Sequence, residues 1–404
     1  MSKHNVVIVG GGFGGVKTAL LLAKDERFRV SLISDYTHMR IYGALYHTAT
    51  GGSRRVSSIP LSEIFAGHAV HLLHDKVVNL DRQKRLIKTK VGHTLPYDAL
   101  ILAMGVGTNY FGIKGLEKYS FGIKSLEDAE ELKNHLHKQL VKENHQDLNY
   151  VVVGGGPTGV ELAGALPDYI RQIVQQHGLP KRKIHVDLIE ASPRLLPRMP
   201  KDISRLVARR LRKIGVKIYL NTAVQAQNAD ALMVNDKPIR SHTVIWTAGM
   251  TNNPFFTEQH FQLAKNGKVR VDQFMQAEQG IYVLGDNADT PYSGMAQTAL
   301  YDGHYVAENL IRLADNDEPQ PYHAKKPIYV MPAGPEWAAV LWGKFRLYGR
   351  LGWALRRLAD LIAYHDYEPW NLAVMRFAAE AEKEESCPQC ADGMTQIQYL
   401  SGEV

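Results

Sequence analysis

The chain has 404 residues, 45% of them apolar and 22% charged, which excludes global disorder and leaves ample length for two or three cored domains. A formal net charge of +7 points towards an anionic ligand, surface or partner, while the basic residues are too dispersed to suggest nucleic-acid binding. Only two cysteines occur, Cys387 and Cys390, so a disulfide framework is excluded.

The chain enters a strand-like run almost at once, Asn5 to Val9, so a secretory leader is not expected. No apolar stretch is long enough for a membrane-spanning helix. The run opens onto Gly10-x-Gly12-x-x-Gly15, followed by a helical pattern through Val16, Ala19, Leu20 and Leu22 and a second strand at Val30 to Ile33. Strand, glycine turn, helix and strand are the context of a dinucleotide fingerprint: the glycines allow a tight turn and close approach to a pyrophosphate, and the helix N-terminus attracts its charge. An acid near the end of the second strand should hold the ribose hydroxyls, which nominates Asp35. A hairpin region is expected from Val70 to Leu95, then a strand at Ala99 to Ala103.

The same pattern returns at Asn149 to Val153, with Gly154-x-Gly156-x-x-Gly159, a helix reaching about Gln176, and a strand at Ile184 to Ile189 that ends on Glu190. A carboxylate there favours NADH, because it repels the 2′-phosphate of NADPH, while Arg194 nearby leaves NADPH open. Glu161 lies just beyond the turn, close enough for a redox-site role. Further strands are expected at Val216 to Leu220, Thr243 to Thr247 and Ile281 to Leu284. The fold class is α/β, with two Rossmann-like dinucleotide-binding domains and an added C-terminal helical region. The economical pairing for two fingerprints is a resident FAD and a visiting NADH.

From Pro319 prolines accumulate, and an aromatic, arginine-rich stretch follows. As a helix from Arg346 to Ile362, it would align Leu347, Leu351, Leu355, Leu358 and Ile362 in a stripe about 80° wide, with Arg346, Arg350 and Arg357 opposite. With tryptophans nearby and a net charge of +3 between Trp337 and Phe377 (six basic residues against three acidic), this predicts a helix lying on an anionic membrane surface. The acidic run Glu380 to Glu385 and the Cys387-x-x-Cys390 pair read as an exposed, inert tail; no metal is assigned.

These motifs resemble, in order, the type II NADH dehydrogenases, single-chain NADH:quinone oxidoreductases of the two-dinucleotide-binding flavoprotein superfamily. The similarity is carried by the Gly10 to Gly15 turn, Tyr97 to Gly105, Thr108 to Ile113, Lys124 to Ala129, Val153 to Gly164, Trp246 to Gly249 and Tyr282 to Asp286. The resemblance implies an FAD site at Gly10, Gly12, Phe13, Gly14, Gly15, Thr48, Val77, Ala103, Gly105, Gly285, Asp286 and Ala296, alongside Asp35. It implies an NADH site at Gly154, Gly156, Pro157, Thr158, Gly159, Glu161 and Gly249, alongside Glu190. The superfamily's disulfide reductases and sulfide:quinone oxidoreductases need cysteines beside the flavin, and this chain has none before Cys387. Where the family motif carries a second glutamine after Ala296-Gln297, this chain has Tyr301; where it carries a glutamine before its Ala-Thr-Gly run, this chain has His47. Gln297 and Tyr301 are then expected to hydrogen-bond a quinone carbonyl, ubiquinone or menaquinone, and His47 to relay protons.

The resemblance places the enzyme peripherally on the cytoplasmic face of the cell membrane. It implies an FAD domain at 1–113 and 250–322, an NADH domain at 114–249, and a membrane-association or homodimer region with a flexible tail at 323–404. Rival acceptors are a rubredoxin- or ferredoxin-like protein and oxygen, and a non-enzymatic reading is a redox-sensing binding protein.

Overall fold

The computed structural model describes residues 3–141, 147–180, 183–385 and Cys387. Two parallel sheets dominate it. The first runs in the order Gln276–Glu278, Ile281–Val283, Ala99–Leu102, His4–Val9, Phe28–Ser34 and Val70–His74, parallel except for its outermost pair. Val6 stands opposite both Val30 and Ala99. The second runs Val216–Tyr219, His185–Ile189, Asn149–Val153 and Val244–Trp246, parallel throughout. Both central strands are buried on both faces, Val6 to Val9 in one and Tyr150 to Val153 in the other. That explains their unbroken apolar runs, since helices cover each side.

The two glycine-turn helices span Phe13–Leu22 and Pro157–Gln176, the second as long as the late position of Glu190 demands. The first sheet is discontinuous in sequence: its last two strands return after the whole second sheet has been built.

Two expectations about strands change. Val70–His74 joins the parallel sheet, and the antiparallel meander begins only at Val77–Asp81, continuing through Leu86–Thr89 and Thr94–Pro96. A single apolar run does not reveal the direction of its partner. The arginine-rich C-terminal stretch does not open as a helix either. Tyr329–Pro332, Ala338–Trp342 and Phe345–Gly349 form an antiparallel sheet, and the helix spans Arg350–His365, followed by Trp370–Ala378. Leu347 and Arg346 therefore belong to a strand. No described helix is long and apolar enough to cross a membrane.

Candidate active site

Each glycine turn is built the same way. Gly10 and Gly154 adopt φ of +117° and +116°, and a Cβ on either would press into the backbone of the neighbouring crossing, at Ala103 and Ala248. Each turn is tied to its sheet, Gly10 N–H to the Ile33 carbonyl and Gly154 N–H to the Ile189 carbonyl, both at 2.8 Å. Gly12 and Gly156 then precede the helices, and a Cβ on either would meet only open space. No side chain caps either helix, and neither has an acid in its first turn. The two cradles thus present uncapped N–H groups and helix-dipole charge to open space, which fits two dinucleotide pyrophosphates.

The strand ends differ. Glu190 is held at its turn, accepting from Gly155 N–H at 2.6 Å and Ser192 N–H at 2.7 Å. In the first copy the side chain facing the turn is Ser34, which a Cβ on Gly11 would touch. Asp35 lies one residue beyond the strand and is exposed. The carboxylate nominated from spacing is therefore displaced from the position that Glu190 holds in the second copy.

Just beyond the neighbouring strands Ala99–Leu102 and Ile281–Val283 of the first sheet, Asn287 clasps the Gly105 backbone in both directions, accepting at 3.0 Å and donating at 2.7 Å. The adjoining Asp286 is raised above the usual carboxylate range by burial, against the opposing pull of Lys268 and Lys124. Burial lowers both lysines. A half-buried acid under the pull of two cations suits the polar chain of a flavin.

A second group of ionisable residues gathers where the C-terminal helix reaches the second cradle. Glu161 is buried, and its carboxyl is pushed up to about 8, chiefly by burial; Arg356 pulls it down and Asp360 adds to the rise. Its side chain makes no hydrogen bond among the described residues. Arg356 is buried too, donating to Glu380 at 2.9 Å and pairing with Asp360 at 3.3 Å. Its guanidinium lies 4.8 Å from the Trp353 ring centroid and 5.9 Å from that of Tyr46. Beside Tyr46, the inner ring nitrogen of His47, Nε2, is buried without a hydrogen-bond partner. Burial, then Arg356, Arg357 and Lys383, push His47 down to about 4. It is therefore neutral at pH 7, contrary to the expectation of a relay titrating near neutrality.

Gln297 and Tyr301 share one face of the helix Ala296–Ala314. Gln297 accepts from Ile328 N–H at 2.7 Å, and the Tyr301 ring meets Lys325 Nζ at 4.2 Å. Among the described residues no hydrogen bond or ring contact joins this pair to the Glu161 group.

Residues 4–303 match the family model for pyridine nucleotide-disulphide oxidoreductases. A type II NADH:quinone oxidoreductase of Mycobacterium tuberculosis is 30% identical over 336 residues, covering 76% of this chain and 72% of the relative. The chain belongs to the type II NADH:quinone oxidoreductase family.

A Staphylococcus haemolyticus type II NADH:quinone oxidoreductase is 25% identical over 333 residues, covering 76% of this chain and 82% of that relative. In fold, the chain resembles NDH2 from Plasmodium falciparum, solved in complex with NADH, at a TM-score of 0.84 and 18% identity over 94% of this chain and 97% of that one. It also resembles the sulfide:quinone oxidoreductase of Aquifex aeolicus, at 0.75 and 20% over 96% and 98%.

Against this type II NADH:quinone oxidoreductase fold, the remaining nominated residues fall as follows. Phe13 contacts Tyr367 edge-on, with ring centroids 5.9 Å apart. Thr48 is buried, 2.8 Å from the Ser57 hydroxyl. Val77 is buried at the start of its strand, and the Ala103 N–H donates to the Val9 carbonyl at 2.8 Å. Pro157 occupies the first turn of its helix with Thr158 beside it, and Gly249 turns against Asn109 and Phe111. Gly14 packs against the Ala299 carbonyl, and Gly285 against the Ala299 side chain, so Ala296 opens the helix that joins these two halves. Sequence reasoning missed Lys268, which carries no motif, read Lys124 only as the start of the crossing motif, and counted Arg356 only in the net charge of its stretch.

Proposed function

We propose that this chain is an FAD-dependent NADH:quinone oxidoreductase that does not pump protons: hydride leaves NADH and two electrons reach a membrane quinone, ubiquinone or menaquinone. The observation that carries this reading is the pair of uncapped glycine cradles on two sheets, between which the chain crosses through the paired strands Val106–Thr108 and Met250–Asn252. When bound, the flavin supplies the hydride acceptor and the two-electron donor.

The protein supplies grip and geometry. Gly10, Gly12, Phe13, Gly14 and Gly15 hold the FAD pyrophosphate. Asp286 and Gly285 hold the ribityl chain, Val77 meets the adenine through its backbone, and Thr48, Ala103, Gly105 and Ala296 line the ring. Ser34 takes the strand-end position nearest the ribose, with Asp35 outside it. Gly154, Gly156, Pro157, Thr158 and Gly159 receive NADH, Glu190 selects it over NADPH, and Gly249 closes the return crossing. Glu161, protonated at pH 7, holds a proton beside the nicotinamide site. Gln297 and Tyr301 offer hydrogen bonds to a quinone carbonyl, and His47 offers a neutral imidazole.

The domain limits 1–113 with 250–322, 114–249 and 323–404 belong to the same proposal, as does a peripheral position on the cytoplasmic face of the membrane. Nine of the eighteen exposed large apolar residues among those described fall between Trp342 and Met375, including Leu351, Leu358, Ile362 and Trp370. A patch of that kind supports docking into a lipid surface. The arginines that were expected to provide electrostatic attraction are mostly engaged. Arg356 and Arg376 are buried in ion pairs, and Arg346 and Arg350 pair with Asp202 and Glu336. Docking is therefore driven mainly by apolar contact.

The test is anaerobic titration of the purified, flavin-loaded chain with NADH, followed by quinone. Bleaching by NADH and rapid return of colour on adding quinone, much faster than with oxygen or with a one-electron carrier protein, support the proposal. Absence of bleaching, or return of colour only with oxygen, overturns it.

A further inference from the structure

The described end of the chain is not a free tail. Residues 382–385 lie along the loop that follows His47: Ser53 N–H donates to the Glu382 carbonyl at 3.2 Å, Glu384 N–H to the Gly51 carbonyl at 2.9 Å, and Arg54 N–H to the Glu384 carboxylate at 2.9 Å. Lys133 Nζ reaches the Glu384 carbonyl at 2.8 Å. This path brings Cys387, which is half-buried, to two histidines from different helices. His137 lies on Leu126–Val141, and His177 caps the C-terminal end of Pro157–Gln176.

We infer that His137, His177 and Cys387 form a structural zinc(II) site that clamps the end of the chain onto these two helices. Their ligand atoms all lie within 4.8 Å of one another, and Cys387 Sγ is 3.3 Å from His177 Nε2. Zn–S and Zn–N bonds of about 2.3 and about 2.0 Å at a tetrahedral angle require an S···N edge of about 3.5 Å. One edge of the tetrahedron is therefore nearly formed, and the others need movements on the order of 1 Å.

The donor set selects the metal: one thiolate and two imidazoles suit borderline-soft zinc, whereas magnesium and calcium demand oxygen. The surroundings have the form expected around ligating imidazoles. The Tyr169 hydroxyl lies 3.2 Å from His137 Nδ1 and donates to the Glu385 carboxylate at 3.3 Å, and that carboxylate is 3.7 Å from His137 Nε2. With the Tyr169 hydroxyl on Nδ1, Nε2 is the nitrogen that faces the metal, and the hydroxyl fixes the tautomer and orientation of the ring. Cys390, the other half of the CxxC pair in the sequence, lies outside the described residues. Binding is a proton exchange without redox change: the Cys387 thiol loses its proton to solvent as the Zn–S bond forms.

The flavin-loaded full-length chain is stripped with a chelator, reloaded with zinc(II) and desalted, and its metal content is measured beside C387S and H177A. The expected result is about one zinc per chain in the wild type, at least about tenfold weaker retention in each variant, and unchanged flavin content. Equal zinc in the wild type and both variants, or none in the wild type, overturns the inference. Should the variants fail to fold, cobalt(II) in the wild type decides. Intense tetrahedral d–d bands to the red of the flavin absorption support a site of this kind, and weak octahedral bands overturn it.

Discussion

Arg356, on a helix whose neighbouring leucines face outward, points the other way and donates to Glu380 at 2.9 Å, with both side chains almost wholly buried. Asp360 completes the cluster at 3.3 Å, and the charge of Arg356 also acts on Glu161. The helix proposed to touch the membrane and the acid beside the NADH cradle are thus electrostatic neighbours.

Arg356→Ala leaves half-buried Asp360 without its cation and Glu380 with Arg357 as its remaining partner, and losing one partner of a buried ion pair costs up to about 3–5 kcal/mol. We expect a stability loss of that order in denaturant titrations. The variant should also raise Glu161 further, because the charge that lowers it is gone. A loss below about 1 kcal/mol, typical of an exposed pair, would contradict the buried assignment.

Glu161 bears directly on pH. Its carboxyl rises from 4.5 unfolded to about 8 folded. Below the lower value both states are protonated and the group is neutral to stability. Between the two values only the unfolded state ionises, so the folded state loses about 1.4 kcal/mol per pH unit. Glu161→Gln removes this term, and its melting temperature should fall less than that of the wild type as pH rises from 5 to about 8. If the proton on Glu161 serves turnover, the substitution should also lower kcat about tenfold or more and flatten the alkaline limb of the pH–rate profile. Superimposable melting profiles for the two proteins would refute the shift.

Leu351, Leu358 and Ile362 are each more than half exposed. Changing all three to Asp should leave folding and turnover with a short-chain, water-soluble quinone intact, while abolishing co-sedimentation with vesicles. Because the nearby arginines are engaged in ion pairs, wild-type binding to neutral phosphatidylcholine vesicles should be only slightly weaker than to anionic ones. A chain that binds solely to anionic vesicles would restore the electrostatic picture. A concentration-dependent dimer that the triple variant disrupts would assign the same face to self-association.

Glu190 accepts two backbone N–H bonds and stands where the adenosine ribose of NADH is expected. Glu190→Gln removes the like charge that opposes a 2′-phosphate. The ratio of kcat/KM for NADH to that for NADPH should fall by about tenfold, equivalent to about 1.4 kcal/mol. An unchanged ratio would show that selection lies elsewhere.

Much of this protein is written locally. The runs Val6 to Val9 and Tyr150 to Val153, each ending in spaced glycines, specify strand, turn and helix through side-chain branching and the backbone freedom of Gly10 and Gly154. Glu190 follows from its place at a strand end. Other features depend on residues far apart in sequence. Val70–His74 became a parallel strand only because Phe28–Ser34 presented a free edge. Ser34 faces the first turn instead of Asp35 because the pleat assigns alternate residues to opposite sides. Helical periodicity separated the two faces of the stretch after Arg350 and set the leucines towards a surface, where Leu351, Leu358 and Ile362 are found, but it did not show which arginines turn inward. The acids that meet Arg356 and Arg376 draw these two side chains into the interior, and Cys387 meets its histidines only through the path of the folded chain. Local sequence sets dihedral preference and periodicity; burial, charge pairing and proton affinity are sums over neighbours that only the tertiary structure assembles.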